Sequence, residues 1–142
     1  MQWWQDTAAG IVIVGLRRGD LLFESLEQVA READIHTGVV MSGIGSLTTA
    51  RIHTVTSTDY PPKEGYFDLE GPLEIVQFGG IIANYAPHIH ISIWDRADRY
   101  YGGHLHEGSA ILTLSEISIR RCPELRLTRR PDERGVWLLE EE

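Results

Sequence analysis

The hydrophobic and polar positions change period several times along the chain, and those changes mark out its elements. Gly10 to Arg18 reads GIVIVGLRR, a β-branched run that predicts a strand. Asp20 stands where a helix cap would. Beyond it Leu22, Leu26, Val29, Ala30 and Ala33 recur at helical spacing, with Glu24, Glu27, Gln28 and Arg31 on the opposite side. This predicts an amphipathic helix over about Leu21 to Ala33. The pattern then turns strand-like. His36 to Met41 is a short run, Ser42-Gly43-Ile44-Gly45-Ser46 a glycine-rich bend, and Leu47 to Thr56 an alternating stretch rich in Thr and Val. Ser57 to Lys63 is polar, carries Pro61-Pro62 and predicts a loop.

Tyr66 to Leu69 reads as a short strand and Leu73 to Ala83 as a longer one, interrupted by Gly79-Gly80. His88 to Trp94 and Arg99 to Leu105 flank Asp95-Arg96-Ala97-Asp98 in the manner of a hairpin. Ala110 to Arg120 alternates along its length, and Glu124 to Thr128 and Val136 to Leu139 add edge strands around an Arg130 to Gly135 loop. One helix with about eight strands in mostly antiparallel succession predicts an α+β fold. The expected architecture is a single domain over residues 1–142, a largely antiparallel sheet with one main helix packed on it.

Composition narrows the class. Hydrophobic residues make up 42% and charged residues 24%, so the chain has the material for an ordinary globular core. At this length about two-thirds of the unfolded surface can be buried, and no covalent staple is needed. The single cysteine, Cys122, excludes an intrachain disulfide and any CxxC motif, and it reads as a small, partly buried side chain. The start, MQWWQDTAAG, lacks a basic region followed by a long apolar core. Apolar runs reach only about five residues against the roughly 20 needed for a membrane span. A cytoplasmic protein without membrane contact is expected.

The net charge of −8 disfavours DNA as a partner, because phosphate contacts supply most non-specific affinity. Six of the thirteen basic residues nevertheless fall between Arg120 and Arg134: Arg120, Arg121, Arg126, Arg129, Arg130 and Arg134. They read as a solvated strand face and loop, with a docking patch for an anionic partner as the alternative.

The chemistry concentrates in Pro87 to Ser109, PHIHISIWDRADRYYGGHLHEGS, which holds four of the six histidines as two H-x-H pairs. Residues two apart on a strand share a face. Folding the hairpin about Ala97 opposes His90 to His104 and His88 to His106, with Cβ atoms roughly 4.5–5.5 Å apart in each pair. Four imidazoles on one face suit a transition metal, with zinc as the choice. A one-residue slip would break the arrangement, and Gly102-Gly103 could host the bulge that causes one. Glu107 follows directly, as a supporting hydrogen-bond partner or a general base. Gly43-Ile44-Gly45-Ser46 reads as a tight bend rather than an anion cradle. His36 and His53 are isolated and read as structural. Trp3 and Trp4 form a plug on the core or cover a partner surface.

Taken together, Ser42-Gly43-Ile44-Gly45-Ser46-Leu47, Pro87-His88-Ile89-His90, Tyr101-Gly102-Gly103-His104-Leu105, Glu107-Gly108 and Ser115-Glu116-Ile117 resemble the plant-and-prokaryote-conserved (PPC) domain family, in its stand-alone prokaryotic form. The likeness spans about Gly10 to Arg120. It implies an α+β fold with a largely antiparallel sheet and assembly as a homotrimer. It also implies a metal, commonly zinc, held by the H-x-H pair and the G-G-H histidine, here His88, His90 and His104. Stand-alone members are often described as DNA-binding. Plant members add an AT-hook, which is missing here: Arg129-Arg130-Pro131-Asp132 is not one. At position 106 this chain has His where the family pattern leads one to expect an apolar residue. The expected function is a homotrimeric zinc-binding domain with a regulatory or small-ligand-binding role. The alternatives are a DNA-binding, transcription-associated protein and a zinc-dependent hydrolase using Glu107 or His106 as base.

Overall fold

The structure, a computed structural model, describes residues 1–142. It contains β1 (Gln2–Asp6), β2 (Ile11–Arg17), α1 (Leu22–Glu32), β3 (Thr37–Val55), β4 (Glu64–Ala83), β5 (Ala86–Asp95), β6 (Tyr100–Leu105), β7 (Ala110–Arg121), β8 (Leu127–Pro131) and β9 (Trp137–Glu141). The first seven strands form one antiparallel sheet in the order β1-β2-β7-β3-β4-β5-β6. β6 also pairs back onto β3 through Ile52↔Leu105 and His53↔His104, so β3, β4, β5 and β6 form a closed circuit. The α+β class with one helix on a largely antiparallel sheet is as expected.

Alternation decides what faces where. Ile52, Ile89, Ile91, Ile93 and Leu105 point inward from the circuit and are at most 2% exposed. Their neighbours His53, His88, His90 and His104 therefore point outward. Leu22, Leu26, Val29 and Ala30 of α1 join the same continuous core of 24 buried hydrophobic residues, against β2 and β5. Burial of that apolar stripe holds the helix on the sheet.

Several boundaries differ from the sequence expectation, each for a physical reason. The predicted bend at Ser42 to Ser46 is absorbed into a continuous 19-residue β3, because hydrogen bonding to β7 carries on across register shifts at Val40/Ser42 and Gly45/Leu47. Gly45 makes this possible with φ +149, and a Cβ there would lie 2.5 Å from the Leu114 carbonyl. The two expected strands around Gly71-Pro72 are likewise one, β4. Asp20 does not cap α1. Leu21 occupies the cap position without a side-chain bond, while the Asp20 carboxylate accepts from the Arg17 amide at 2.8 Å and pairs with the terminal ammonium at 2.9 Å. β8 and β9 are not edge strands of the main sheet but a separate two-stranded hairpin. The tryptophans divide by strand period: Trp3 packs on the core and donates to Glu32 at 2.9 Å, whereas Trp4 is 57% exposed.

Closure of the circuit depends on Gly103, where a Cβ would lie 2.4 Å from the His53 carbonyl oxygen. At the adjacent Gly102 the closest atom would be 3.4 Å away, an ordinary contact. Gly103→Ala should therefore cost roughly 1–3 kcal/mol of stability in urea denaturation, and Gly102→Ala much less. Equal effects would mean that the closure is not the constraint.

Candidate metal centre

Three strands deliver the histidines. On β5, His88 and His90 share a face by the two-residue period, with ring centroids 5.6 Å apart and planes within 19°. The β5–β6 hairpin opposes His90 to His104, the register expected from folding about Ala97. The second expected pair does not form. β6 ends at Leu105, His106 has left the strand, and its amide donates to the Arg51 carbonyl at 2.9 Å. This turn carries the His106 ring away from His88 and onto His53, with His53 Nδ1 and His106 Nε2 2.5 Å apart.

His53, read from sequence as isolated, is thus part of the cluster. It pairs with His104 across β3 and β6, and the two rings stack with centroids 4.7 Å apart. Nothing local announces this, since the β3–β6 pairing joins segments about fifty residues apart in sequence. His104 is the hub, with centroids 4.5 Å from His88, 5.0 Å from His106 and 5.7 Å from His90. His36 lies apart, bonded through Nδ1 to Thr37 and through Nε2 to Glu142, both at 3.1 Å.

Two triads result. The ligand atoms of His88, His90 and His104 lie within 4.8 Å of one another, and so do those of His53, His104 and His106. Two nitrogens bound to one tetrahedral zinc are about 3.4 Å apart, given Zn–N distances of about 2.0–2.1 Å, so small side-chain rotations would bring either triad onto an ion. The protonation state also fits. Burial first, and then the charges of its neighbours, pull the His104 pKa down to about 3. His88 is lowered by burial and next by Arg129, and His106 by burial and next by His53. These rings are accordingly neutral near pH 7, as metal ligation requires. An all-imidazole donor set suits zinc, copper, nickel or iron.

Glu107 is exposed in the turn after β6. The acid that approaches a ring of the cluster is instead Glu64 at the start of β4, 3.7 Å from His53 Nε2. A cleft of about 580 Å³ opens beside the histidines, lined by His53, His88 and His104, by Pro61 and Pro62, and by Arg129 and Trp137 of the β8–β9 hairpin. The six arginines of the 120–134 segment do not form one basic face. Arg126 pairs with Glu142, Arg130 with Glu140, Arg121 donates to the Asp34 carbonyl, and Arg129 is half-buried beside the cleft.

Known proteins share this framework. A solved structure from Ralstonia eutropha JMP134, described as that of a candidate DNA-binding protein, is 26% identical and superposes with a TM-score of 0.75 over 92% of this chain and 91% of its own. The metal-containing protein of Archaeoglobus fulgidus, 24% identical, gives a TM-score of 0.77 over 92% of this chain and 93% of its own. A curated relative, the bifunctional protein GlmU of Synechococcus sp. (strain JA-2-3B'a(2-13)), is 33% identical over 114 residues; these are 80% of this chain but 17% of that protein. The Plants and Prokaryotes Conserved (PCC) domain matches residues 5–123, a span that takes in β2 to β7 and every histidine of the cluster, and the chain belongs to that family.

Proposed function

We propose that this chain is a homotrimeric, zinc-binding PCC-domain protein with a regulatory or small-ligand-binding role. The observation that carries the proposal is the convergence of four imidazoles, those of His53, His88, His90 and His106, on His104 at the outer wall of the closed circuit. Burial and neighbouring charges disfavour the protonated forms of His88, His104 and His106, and neutral imidazole nitrogens gathered in this way suit a shared cation. His88, His90 and His104 would hold the ion, and two of them, His88 and His104, line the cleft. His106 stands next to it, turned toward His53. When bound, zinc supplies a Lewis-acidic centre at the cleft wall. A metal-containing structural relative supports this reading.

Self-association has its own support. The sheet face opposite the helix leaves Trp4, Ile13 and Ile44 exposed around a depression of about 470 Å³. An uncovered apolar patch of this sort marks an association surface.

DNA binding is the second reading, favoured by the description of the Ralstonia relative. A net charge of −8 and the carboxylate partners of Arg126 and Arg130 count against it.

Metal analysis of the purified protein by plasma mass spectrometry should give about one zinc or other transition metal per chain. His90→Ala should weaken metal binding beyond the roughly 10–100-fold cost of losing a supporting residue, while circular dichroism shows an intact fold. Retention of metal by that variant, with loss in His53→Ala, would move the ion to the other triad. Light scattering should give a particle three times the 16.0 kDa chain mass, and Ile44→Arg should reduce it to one. Labelled duplex DNA should show no anisotropy change at low salt; a salt-sensitive rise would restore the DNA reading.

A further inference from the structure

The β8–β9 hairpin lies beyond residue 123, where the family match ends, yet it forms one wall of the cleft beside the histidines. Its most unusual member is Arg129. The guanidinium is half-buried and donates only to backbone carbonyls, from Nη1 to Ala86 at 3.3 Å and from Nη2 to Ile81 at 3.2 Å. No carboxylate pairs with it, although the chain carries 21 acidic residues, and burial lowers its pKa without an acid to offset the effect. A half-buried charge facing only neutral dipoles is poorly compensated until a counter-charge arrives. Two carbonyl contacts leave three of its five N–H donors free.

We propose that this cleft binds a small organic acid, a carboxylate or phosphate monoester with an apolar body, and that Arg129 recognises its anionic head. The proposal deepens the reading of the histidine site as a metal centre, because a cation held by His88 and His104 would add a second positive charge on the same cleft. Dimensions and lining agree. About 580 Å³ is within the usual range for a small-molecule site, roughly 300–1,000 Å³. Pro61, Pro62, Val136 and the exposed face of Trp137 supply an apolar wall. Glu64 lines the cleft on the His53 side, so the anionic head goes to the Arg129 end and any hydrogen-bond donor on the ligand to the Glu64 end. The guanidinium fork matches an oxyanion bidentately, which an ammonium would not.

Calorimetric titration with benzoate and phenyl phosphate, run on the full chain both zinc-loaded and chelator-stripped, tests this. Acetate and inorganic phosphate serve as heads without an apolar body. The wild type should bind at least one aromatic acid at millimolar concentration or tighter, more strongly than its bare head. Arg129→Gln should weaken that binding at least tenfold, and Arg129→Lys should restore only part of it. Arg130→Gln, an exposed change on the same strand, should leave it unaltered. Unchanged binding in Arg129→Gln, or no binding of any probe to the wild type, overturns the proposal. If Arg129→Gln fails to fold, Arg129→Lys decides: full wild-type affinity there refutes recognition by the guanidinium fork. Arg129-dependent binding in a protein that takes up no metal refutes the metal reading and leaves this one standing. A zinc-loaded protein that ignores every acid does the reverse.

Discussion

The structure turns on one short strand that has partners on both edges. β6 pairs with β5 through the hairpin and with β3 through closure of the circuit, so His104 stands opposite His90 on one side and His53 on the other. Directly opposed side chains in an antiparallel pair are only about 4.5–5.5 Å apart at Cβ. A residue paired on both flanks therefore gathers two neighbours at once, without any loop having to order itself. The cost falls on Gly103, which must lack a side chain to let β6 approach β3. On the inner wall Leu105 and Ile52 are buried opposite one another, and that apolar contact keeps the pairing in place.

Electrostatics then shape what the cluster can be. Five clustered imidazoles cannot all carry a proton without repulsion, and partial burial adds a desolvation penalty on the charged forms of His88, His104 and His106. His88, His104 and His106 are lowered on that account, and burial brings His104 furthest, to about 3. Nearby acids are few: Glu64 reaches His53 only at 3.7 Å, and Glu107 stays in solvent. The environment suits a borderline transition metal better than a hard cation such as calcium or magnesium, which prefers oxygen ligands.

The hairpin beyond the family match gives the same wall of histidines a neighbour from outside that span. Arg129 of that hairpin lies half-buried against the carbonyls of Ile81 in β4 and Ala86 at the start of β5. The matched span thus carries the histidine cluster, and the hairpin beyond it brings a cation and an aromatic side chain to the cleft.

Local periodicity and turn chemistry were enough to determine the α+β class, the amphipathic helix, the β5–β6 register and the shared face of His88 and His90, because each depends on residues close in sequence. Tertiary structure alone decided the rest. Whether Ser42 to Ser46 bends or runs on as strand depended on β7 supplying hydrogen-bond partners. His106 left the cluster's expected pairing because β6 stops one residue before it, where its amide finds Arg51. His53 gave no signal of its own, since a single histidine on a strand is chemically mute until another strand is laid beside it. Arg129 lay within a run of arginines that composition could only describe as basic; its burial, and the lack of an acid beside it, came from where the hairpin packs. Contacts between segments distant in sequence carry no periodic signature, and the candidate site is made mostly of such contacts.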